Sequence, residues 1–306
     1  MKKITVVGSL NMDLVVDVKD MPHKGETILA DQYEMIPGGK GANQAYAVGM
    51  LGGQVTMLGA IGNDDYGKKL CRSLQSAGVC IDHLKVTENL GTGTAIIIVN
   101  EQGENSIIVI QGANKAVDTV YIDENMEVIR NSDIIILQLE IPLETVIYTA
   151  KKAKELNKMV ILDPAPARYD LPDELFKYVD LIKPNETELG ILLGDRNAKE
   201  DLYGSSEKIK KKGAKNVLVT LGRYGSYLND LDGNTYRFYS QDVPVVDTTA
   251  AGDSFIAAVA VGLAKGWNIL SSIKFADKVA TVVVTRKGAQ SSIPSLQEVK
   301  GYLSQE

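Results

Sequence analysis

Apolar residues run along this chain in two rhythms. Short, nearly continuous β-branched stretches predict strands over residues 4–7, 55–61, 134–137, 159–162, 181–182 and 217–221. Between most of them, apolar positions recur every three or four residues, over 41–51, 65–77, 143–156, 186–193, 206–212, 251–263 and 269–284. That spacing predicts helices with one buried face. Strands apolar on both faces and separated by helices imply an α/β fold: a central, mostly parallel sheet sandwiched by helices.

Two regions break the alternation. Residues 27–36, and the pair 94–99 and 106–110 joined by the turn Asn100-Glu-Gln-Gly-Glu104, read as strands with no helix between them. They predict a small β-sheet lid, formed by insertions at about 12–39 and 92–111, on a single α/β unit spanning 1–306. A sheet face that no helix covers is buried by a ligand cleft, by a partner subunit, or by both.

Composition narrows the function classes. With 306 residues, 44% of them hydrophobic and 24% charged, the chain has ample apolar surface for a core, which excludes disorder. A formal net charge of −6 argues against nucleic-acid binding, which needs a basic face. The one basic run, Lys208, Lys210, Lys211, Lys212 and Lys215, reads as a solvated helix face. Two cysteines, Cys71 and Cys80, and two histidines, His23 and His83, are too few for a disulfide framework or a thiolate–imidazole metal cage. Both cysteines lie in or beside the 65–77 helix and read as small buried hydrophobes. The apolar stretch after Lys2 and Lys3 is interrupted by Asn11 and Asp13, with no signal-type cleavage site behind it. The longest apolar run, 255–264, is about half a membrane span. A cytoplasmic protein with no membrane or nucleic-acid partner is expected.

Three segments carry candidate chemistry. Gly62-Asn-Asp-Asp-Tyr-Gly-Lys68 fits the spacing of a phosphate-binding loop, but Lys69 stands where a Ser or Thr is needed. Asp64 and Asp65 would also repel a phosphate, so Asn63 or Asp64 capping the next helix is the expected role. Pro37-Gly-Gly-Lys-Gly-Ala-Asn43 opens a helix with glycines that permit close approach, and Lys40 and the helix terminus favour an oxygen-rich or anionic group. Asp247-Thr-Thr-Ala-Ala-Gly-Asp-Ser-Phe255 opens an apolar helix with small residues. Its Ala250, Ala251 and Gly252 amides can form an anion hole, and Asp253 in the first turn either accepts a substrate proton or stabilises the helix. Asn11, Asp13, Glu140, Asn185 and Glu188 fall at the carboxyl ends of predicted strands, where α/β sheets bind ligands.

These segments, with Gln138-Leu-Glu140, Pro164-Ala-Pro166, Pro184-Asn-Glu-Thr-Glu188, Thr220-Leu-Gly222 and Thr285-Arg-Lys-Gly-Ala-Gln290, run in order from residue 8 to about 294, and the chain resembles the PfkB carbohydrate kinase family. The resemblance implies transfer of the ATP γ-phosphate to the 5-hydroxyl of D-ribose, giving D-ribose 5-phosphate. By position it implies that Asn11, Asp13, Gly39, Lys40, Asn43, Glu140 and Asp253 hold the sugar, with Asp253 as general base. Ala250, Ala251 and Gly252 would stabilise the transferred phosphoryl group, and Asn185, Glu188, Thr220, Gly222, Gly225, Gly252 and Asp277 would lie at ATP. Mg²⁺ would bridge the phosphates, and K⁺ would sit among Asp247, Thr249, Val283, Arg286, Gly288 and Ser292. The family also implies a homodimer through paired lid sheets. Alternatives are a 2-deoxyribose or nucleoside kinase of the same family, or a sugar-binding sensor that has lost catalysis. A dinucleotide-binding oxidoreductase is disfavoured, because Gly8-Ser-Leu-Asn11 follows the first strand where G-x-G-x-x-G is required. Ser254, Asp277 and Ser291 depart from the Thr, Asn or His, and Pro frequent in the family.

Overall fold

A computed structural model describes residues 1–303; the last three residues of the expected 1–306 unit lie outside the described residues. In chain order the first strands are β1 (Lys3–Val7), β2 (Asn11–Asp17), β3 (Tyr33–Gly38), β4 (Gln54–Leu58), β5 (Ala60–Gly62), β6 (Lys85–Thr87) and β7 (Gly93–Val99). They continue as β8 (Asn105–Ile110), β9 (Ile134–Leu137), β10 (Met159–Leu162), β11 (Leu181–Ile182), β12 (Asn216–Thr220), β13 (Ser226–Asn229) and β14 (Thr235–Phe238). The helices are α1 (Lys40–Met50), α2 (Asp65–Ser76), α3 (Thr119–Glu124), α4 (Met126–Arg130), α5 (Leu143–Glu155) and α6 (Asp173–Phe176), then α7 (Glu186–Leu193), α8 (Leu202–Lys212), α9 (Ala251–Ala264), α10 (Ile269–Val284) and α11 (Leu296–Leu303).

Eight strands form the main sheet in the order β14-β13-β12-β11-β10-β9-β1-β4, parallel from β4 to β12 and antiparallel at β13 and β14. Side chains alternate across the strands. Ile4, Val6, Ile134 and Ile136 enter a core against α1, α9 and α10, while Val7, Ile135 and Leu137 enter a second core against α5 and its neighbours. Helix α9 is apolar almost all round and buried along nearly its whole length, which fits its place under both α1 and α10. The chain reverses direction across the sheet at β1, with β4 on one side and β9 on the other, and such a switch point opens a crevice at the strand ends.

A separate four-stranded sheet has the order β3-β2-β7-β8, with β2 and β7 parallel. Its strands fall within a residue of the two expected insertions. Two details differ from expectation. Residues 27–32 are irregular, and the strand instead runs through Pro37 to Gly38, which an edge strand tolerates because Pro37 has no N–H to pair. Strand β2 itself was not expected, since Asn11 and Asp13 read as a strand-end turn. The expected 55–61 strand is also two: the chain swerves at Gly59, where a Cβ would meet Leu10 Cδ1 at 2.4 Å, and β5 leaves the main sheet to pair with β6.

Asp64 accepts the Gly67 amide at 2.8 Å and caps α2, as expected for the false phosphate loop. Lys208, Lys212 and Lys215 pair with Asp195, Asp173 and Asp180 at the surface, whereas Lys210, against expectation, turns inward to Asn229 and the Asp230 carbonyl. The reading of both cysteines as buried fails: Cys71 is half-buried, and Cys80, whose backbone bridges Thr56 at the β4 edge, is exposed.

Candidate active site

At the carboxyl end of β1 the chain enters β2, and its first residue, Asn11, is 2% exposed. Asn114 Nδ2 donates to Asn11 Oδ1 at 2.8 Å, and the same side chain brackets Leu10 through its N–H and carbonyl. Asn11 Oδ1 is therefore occupied, and its NH₂ is the group left for a ligand oxygen. Asp13 lies two residues on, against Gly38, where a Cβ would come within 2.1 Å of Asp13 Oδ2. Gly39 adopts φ +86°, and a Cβ there would meet the Asn11 nitrogen at 2.7 Å, so both conformation and space require glycine. Glu140, following β9, accepts the Lys40 amide at 3.0 Å and the Ser9 hydroxyl through its Oε2. Asn43 on α1 donates to Asp253 Oδ2 at 3.1 Å and accepts from Gln290 at 3.3 Å. The seven residues expected to hold a sugar thus cluster around the start of α1, and two of them, Lys40 and Asp253, line a pocket.

Charge in that pocket is crowded. Burial, with Glu140 and Asp253 nearby, pushes the Asp13 carboxyl up to about 7. Burial works against a charge on the Lys40 ammonium, yet Asp253, Asp163, Glu140 and Glu188 outweigh it and hold that ammonium above the usual lysine range. Lys40 is thus a firm cation between acidic groups.

A cavity of about 600 Å³ continues from Lys40 and Asp253 to Lys183, Asn185, Glu188 and Thr220, and on to Gly222, Gly225 and Asp277. Asp253 is 6% exposed in the first turn of α9. Ala250 enters that helix at φ +59°, a left-handed conformation costly for a residue with a Cβ. Of the three expected anion-hole amides, Ala251 N–H closes a turn on the Thr248 carbonyl at 3.2 Å. Those of Ala250 and Gly252 make no hydrogen bond among the described residues. Asn185 and Glu188 form a reciprocal capping box at the start of α7, at 2.8 and 2.7 Å. They are structural caps that also line the cavity, and burial raises the Glu188 carboxyl above its usual range against the pull of Lys183. Gly225, at φ +86°, would place a Cβ 2.1 Å from the Phe238 carbonyl. Burial pushes Asp277 up to about 7, against the smaller opposing pull of the Ser226 hydroxyl.

Beside the hole, Asp247 ties two loops together, accepting the Thr249 amide and hydroxyl at 2.8 and 2.6 Å and the Gly288 amide at 2.9 Å. Burial works to raise this carboxyl, but these hydrogen bonds and Lys287 outweigh it and hold it below the usual range. Arg286 turns its guanidinium away to Glu298 at 2.9 Å, and its amide donates to the Val283 carbonyl at 3.0 Å. Ser292 is fully buried and donates to the Ala289 carbonyl at 2.7 Å. The expected cation ligands thus lie on two adjoining segments, but Val283 already uses one lone pair and the Ser292 hydroxyl hydrogen is engaged.

Sequence reasoning missed four residues. Asp163, after β10, and Lys183, after β11, form an ion pair at 3.0 Å with 1% and 4% of their side chains exposed, lining the cavity. Gln44 and Gln138 lie fully buried beside them. Asp163 precedes Pro164-Ala-Pro166, Lys183 precedes Pro184-Asn185, and Gln44 follows Asn43, so each touches a quoted motif. Their position just after strands β9, β10 and β11 and early in α1 was the available signal.

Known proteins resemble this chain over nearly its whole length. The model of the pfkB family of carbohydrate kinases matches residues 1–296. A ribokinase of Schizosaccharomyces pombe is 40% identical over 98% of both chains, and a deoxyribokinase of Salmonella typhi is 35% identical over 98% of both. The solved structure of an Arabidopsis thaliana ribokinase complexed with ribose and ATP superposes with a TM-score of 0.93 at 37% identity, covering 99% of this chain and 98% of that one.

Proposed function

The chain belongs to the pfkB family of carbohydrate kinases, and within it we propose that the protein is a ribokinase, transferring the γ-phosphate of ATP to the 5-hydroxyl of D-ribose to give D-ribose 5-phosphate. The observation that carries this reading is the place of Asp253. Its buried carboxylate joins the polar cluster of Asn11, Asp13, Lys40, Asn43 and Glu140 to a cavity of about 600 Å³ that has two unpaired amides at a helix N-terminus.

Asn11 offers its NH₂ to one sugar oxygen, Asn43 and Lys40 donate to others, and Asp13 and Glu140 accept hydroxyl hydrogens. Asp253 takes the proton of the 5-hydroxyl as that oxygen bonds to phosphorus, and the oxygen bridging to ADP leaves with the bond's electron pair. Ala250 and Gly252 amides stabilise charge on the transferred group; the Ala251 amide joins them once it releases Thr248. Thr220, Gly222, Gly225 and Asp277 border the nucleotide end of the cavity. No group of three or more His, Cys, Asp or Glu among the described residues could cage a metal. Mg²⁺, which neutralises phosphate charge when bound, would therefore take its ligands mainly from ATP and water, with Asn185 and Glu188 reached through water. The oxygen donors around Asp247, Thr249 and Gly288, with Val283, Arg286 and Ser292, suit a large, weakly hydrated cation such as K⁺.

We further propose one α/β domain whose four-stranded sheet acts as a lid over the sugar. Its strand β8 exposes Ile107, Ile108, Val109 and Ile110, which supports a homodimer formed through the lid sheets. No described helix is long and apolar enough to cross a membrane. Dependence on ATP and two free thiols favour a cytoplasmic location. The 35% identity to a deoxyribokinase keeps 2-deoxyribose as the rival sugar.

Asp253→Asn tests the catalytic reading. Calorimetry is expected to show ribose still binding while kcat falls by roughly 10²–10⁴. Near-normal turnover would remove Asp253 from the role of base, and ribose binding without turnover in the unaltered protein would favour a sensor.

A further inference from the structure

One side-chain amide on α1 touches two carboxylates at once. Gln44 Nε2 donates to Asp253 Oδ1 at 3.0 Å and to Asp163 Oδ2 at 2.9 Å. Its other end is held as well, since Gln138 Nε2 donates to Gln44 Oε1 at 2.6 Å. The amide cannot be turned over: its oxygen would then face two carboxylate oxygens and its NH₂ the NH₂ of Gln138. Beyond Asp163 the chain of contacts continues through Lys183, whose Nζ lies 3.0 Å from Asp163 Oδ1 and 3.4 Å from the carbonyl of Gly252, the residue before the base. Asp13, Lys40, Glu140 and Glu188 are the other charged groups around this cluster.

We infer that Gln44 is a positioning residue for phosphoryl transfer, aiming the Asp253 carboxylate and tying it to the Asp163–Lys183 pair beside the anion hole. This rests on the reading of Asp253 as general base. A carboxamide suits the task because each N–H serves one carboxylate, and neither proton is acidic enough to move onto them. Without it, two carboxylate oxygens of like charge would face each other with no donor between them. Asn43 holds Asp253 Oδ2 and Gln44 holds Oδ1, so the carboxylate is fixed at both oxygens. Gln138 has no direct contact with Asp253 in the described hydrogen bonds and acts only by orienting Gln44. Its own Oε1 is buried without a hydrogen-bond partner, and a Cβ on Gly8 would lie 1.9 Å from it, so Gly8 leaves room for this amide.

Steady-state kinetics with ribose and ATP across roughly pH 5.5 to 8.5 test the inference in Gln44→Met and Gln138→Met, which keep side-chain volume and remove the amide. Gln44→Met is expected to lower kcat about 10- to 100-fold. The KM for ribose should stay within about threefold, because the lost interaction acts on the transition state. The acidic limb of its kcat/KM profile should move up by about one pH unit, since the ionised base has lost a hydrogen-bond donor. Gln138→Met should show the same changes more weakly. An unchanged kcat and limb in Gln44→Met overturns the inference, and so does a lowered kcat with an unmoved limb, which marks a structural role alone. Should Gln44→Met fail to fold, Gln138→Met decides by the same criteria. Asp253→Asn in the same series separates the two readings. Its inactivity beside a normal Gln44→Met rejects the positioning role alone, whereas its activity rejects the base itself.

Discussion

Asp13 and Asp277 are carboxyls that burial raises to about 7, and Asp277 lines the cavity. In the unfolded chain each titrates near the ordinary aspartate value, so between those two pH values the folded state binds more protons. Their contribution to stability is therefore fully present below the unfolded value and is lost as pH rises through about 7. Without ligands, Tm is expected to fall between about pH 5 and 8, and Asp13→Asn or Asp277→Asn should each flatten that slope, gaining on the order of 1 kcal/mol at pH 8. Thermal unfolding at several pH values checks this, and parallel slopes in variant and parent would contradict it. Evidence of the same tension is the left-handed Ala250 at the start of α9. Under the proposed function, strain and buried charge gather where phosphate is transferred.

Helix starts carry most of the site, and they are not equivalent. Helix α1 begins at Gly39, which has no side-chain cap and packs its backbone against Asn11. Helix α2 begins at Asp64, an ordinary cap that also bonds the Thr92 amide and hydroxyl. Gly39→Ala is accordingly expected to cost about 1–2 kcal/mol of stability from the forced positive φ and to weaken ribose binding at least tenfold. Asp64→Ala should cost about 1–2 kcal/mol through the lost cap yet leave the KM for ATP unchanged. Denaturant titration and initial rates measure both, and an altered ATP KM in Asp64→Ala would revive the discarded phosphate loop.

The same elements show what the sequence made legible. Strands β1, β9, β10 and β11 and helices α5, α7, α9 and α10 appear within a residue or so of expectation, because buried apolar runs and one-faced helices have a period that burial dictates. Strand β2 escaped notice, since Asn11-Met-Asp13 carries polar ligand groups on a strand stabilised by partners on both sides. The hairpin of β13 and β14 and the short helices α3, α4 and α6 also went unpredicted, being too brief to show a period. Motif residues were readable because glycines and a lysine or aspartate stood together in the chain. Gln44, Gln138, Asp163 and Lys183 were not, because they meet only after β9, β10, β11 and α1 assemble.

At the scale of the whole molecule, two helical layers leave the main sheet little exposed, while β8 presents four consecutive apolar side chains to solvent. Sedimentation at micromolar concentration is expected to show a dimer, and Ile108→Lys should shift it toward monomer; a parent monomer independent of concentration would count against pairing through the lid. A net charge of −6 is compatible with ATP because, under the proposed function, its phosphates would meet backbone amides, a helix terminus, Lys40 and Lys183 in the cavity rather than a basic surface. Under the proposed function this site phosphorylates ribose, and a pocket built to hydrogen-bond a hydroxyl rejects the analogue that lacks it. The ratio of kcat/KM for D-ribose to that for 2-deoxyribose, with adenosine alongside, tests it most directly. A ratio of at least about 10² in favour of ribose is expected; preference for 2-deoxyribose or adenosine would contradict the account.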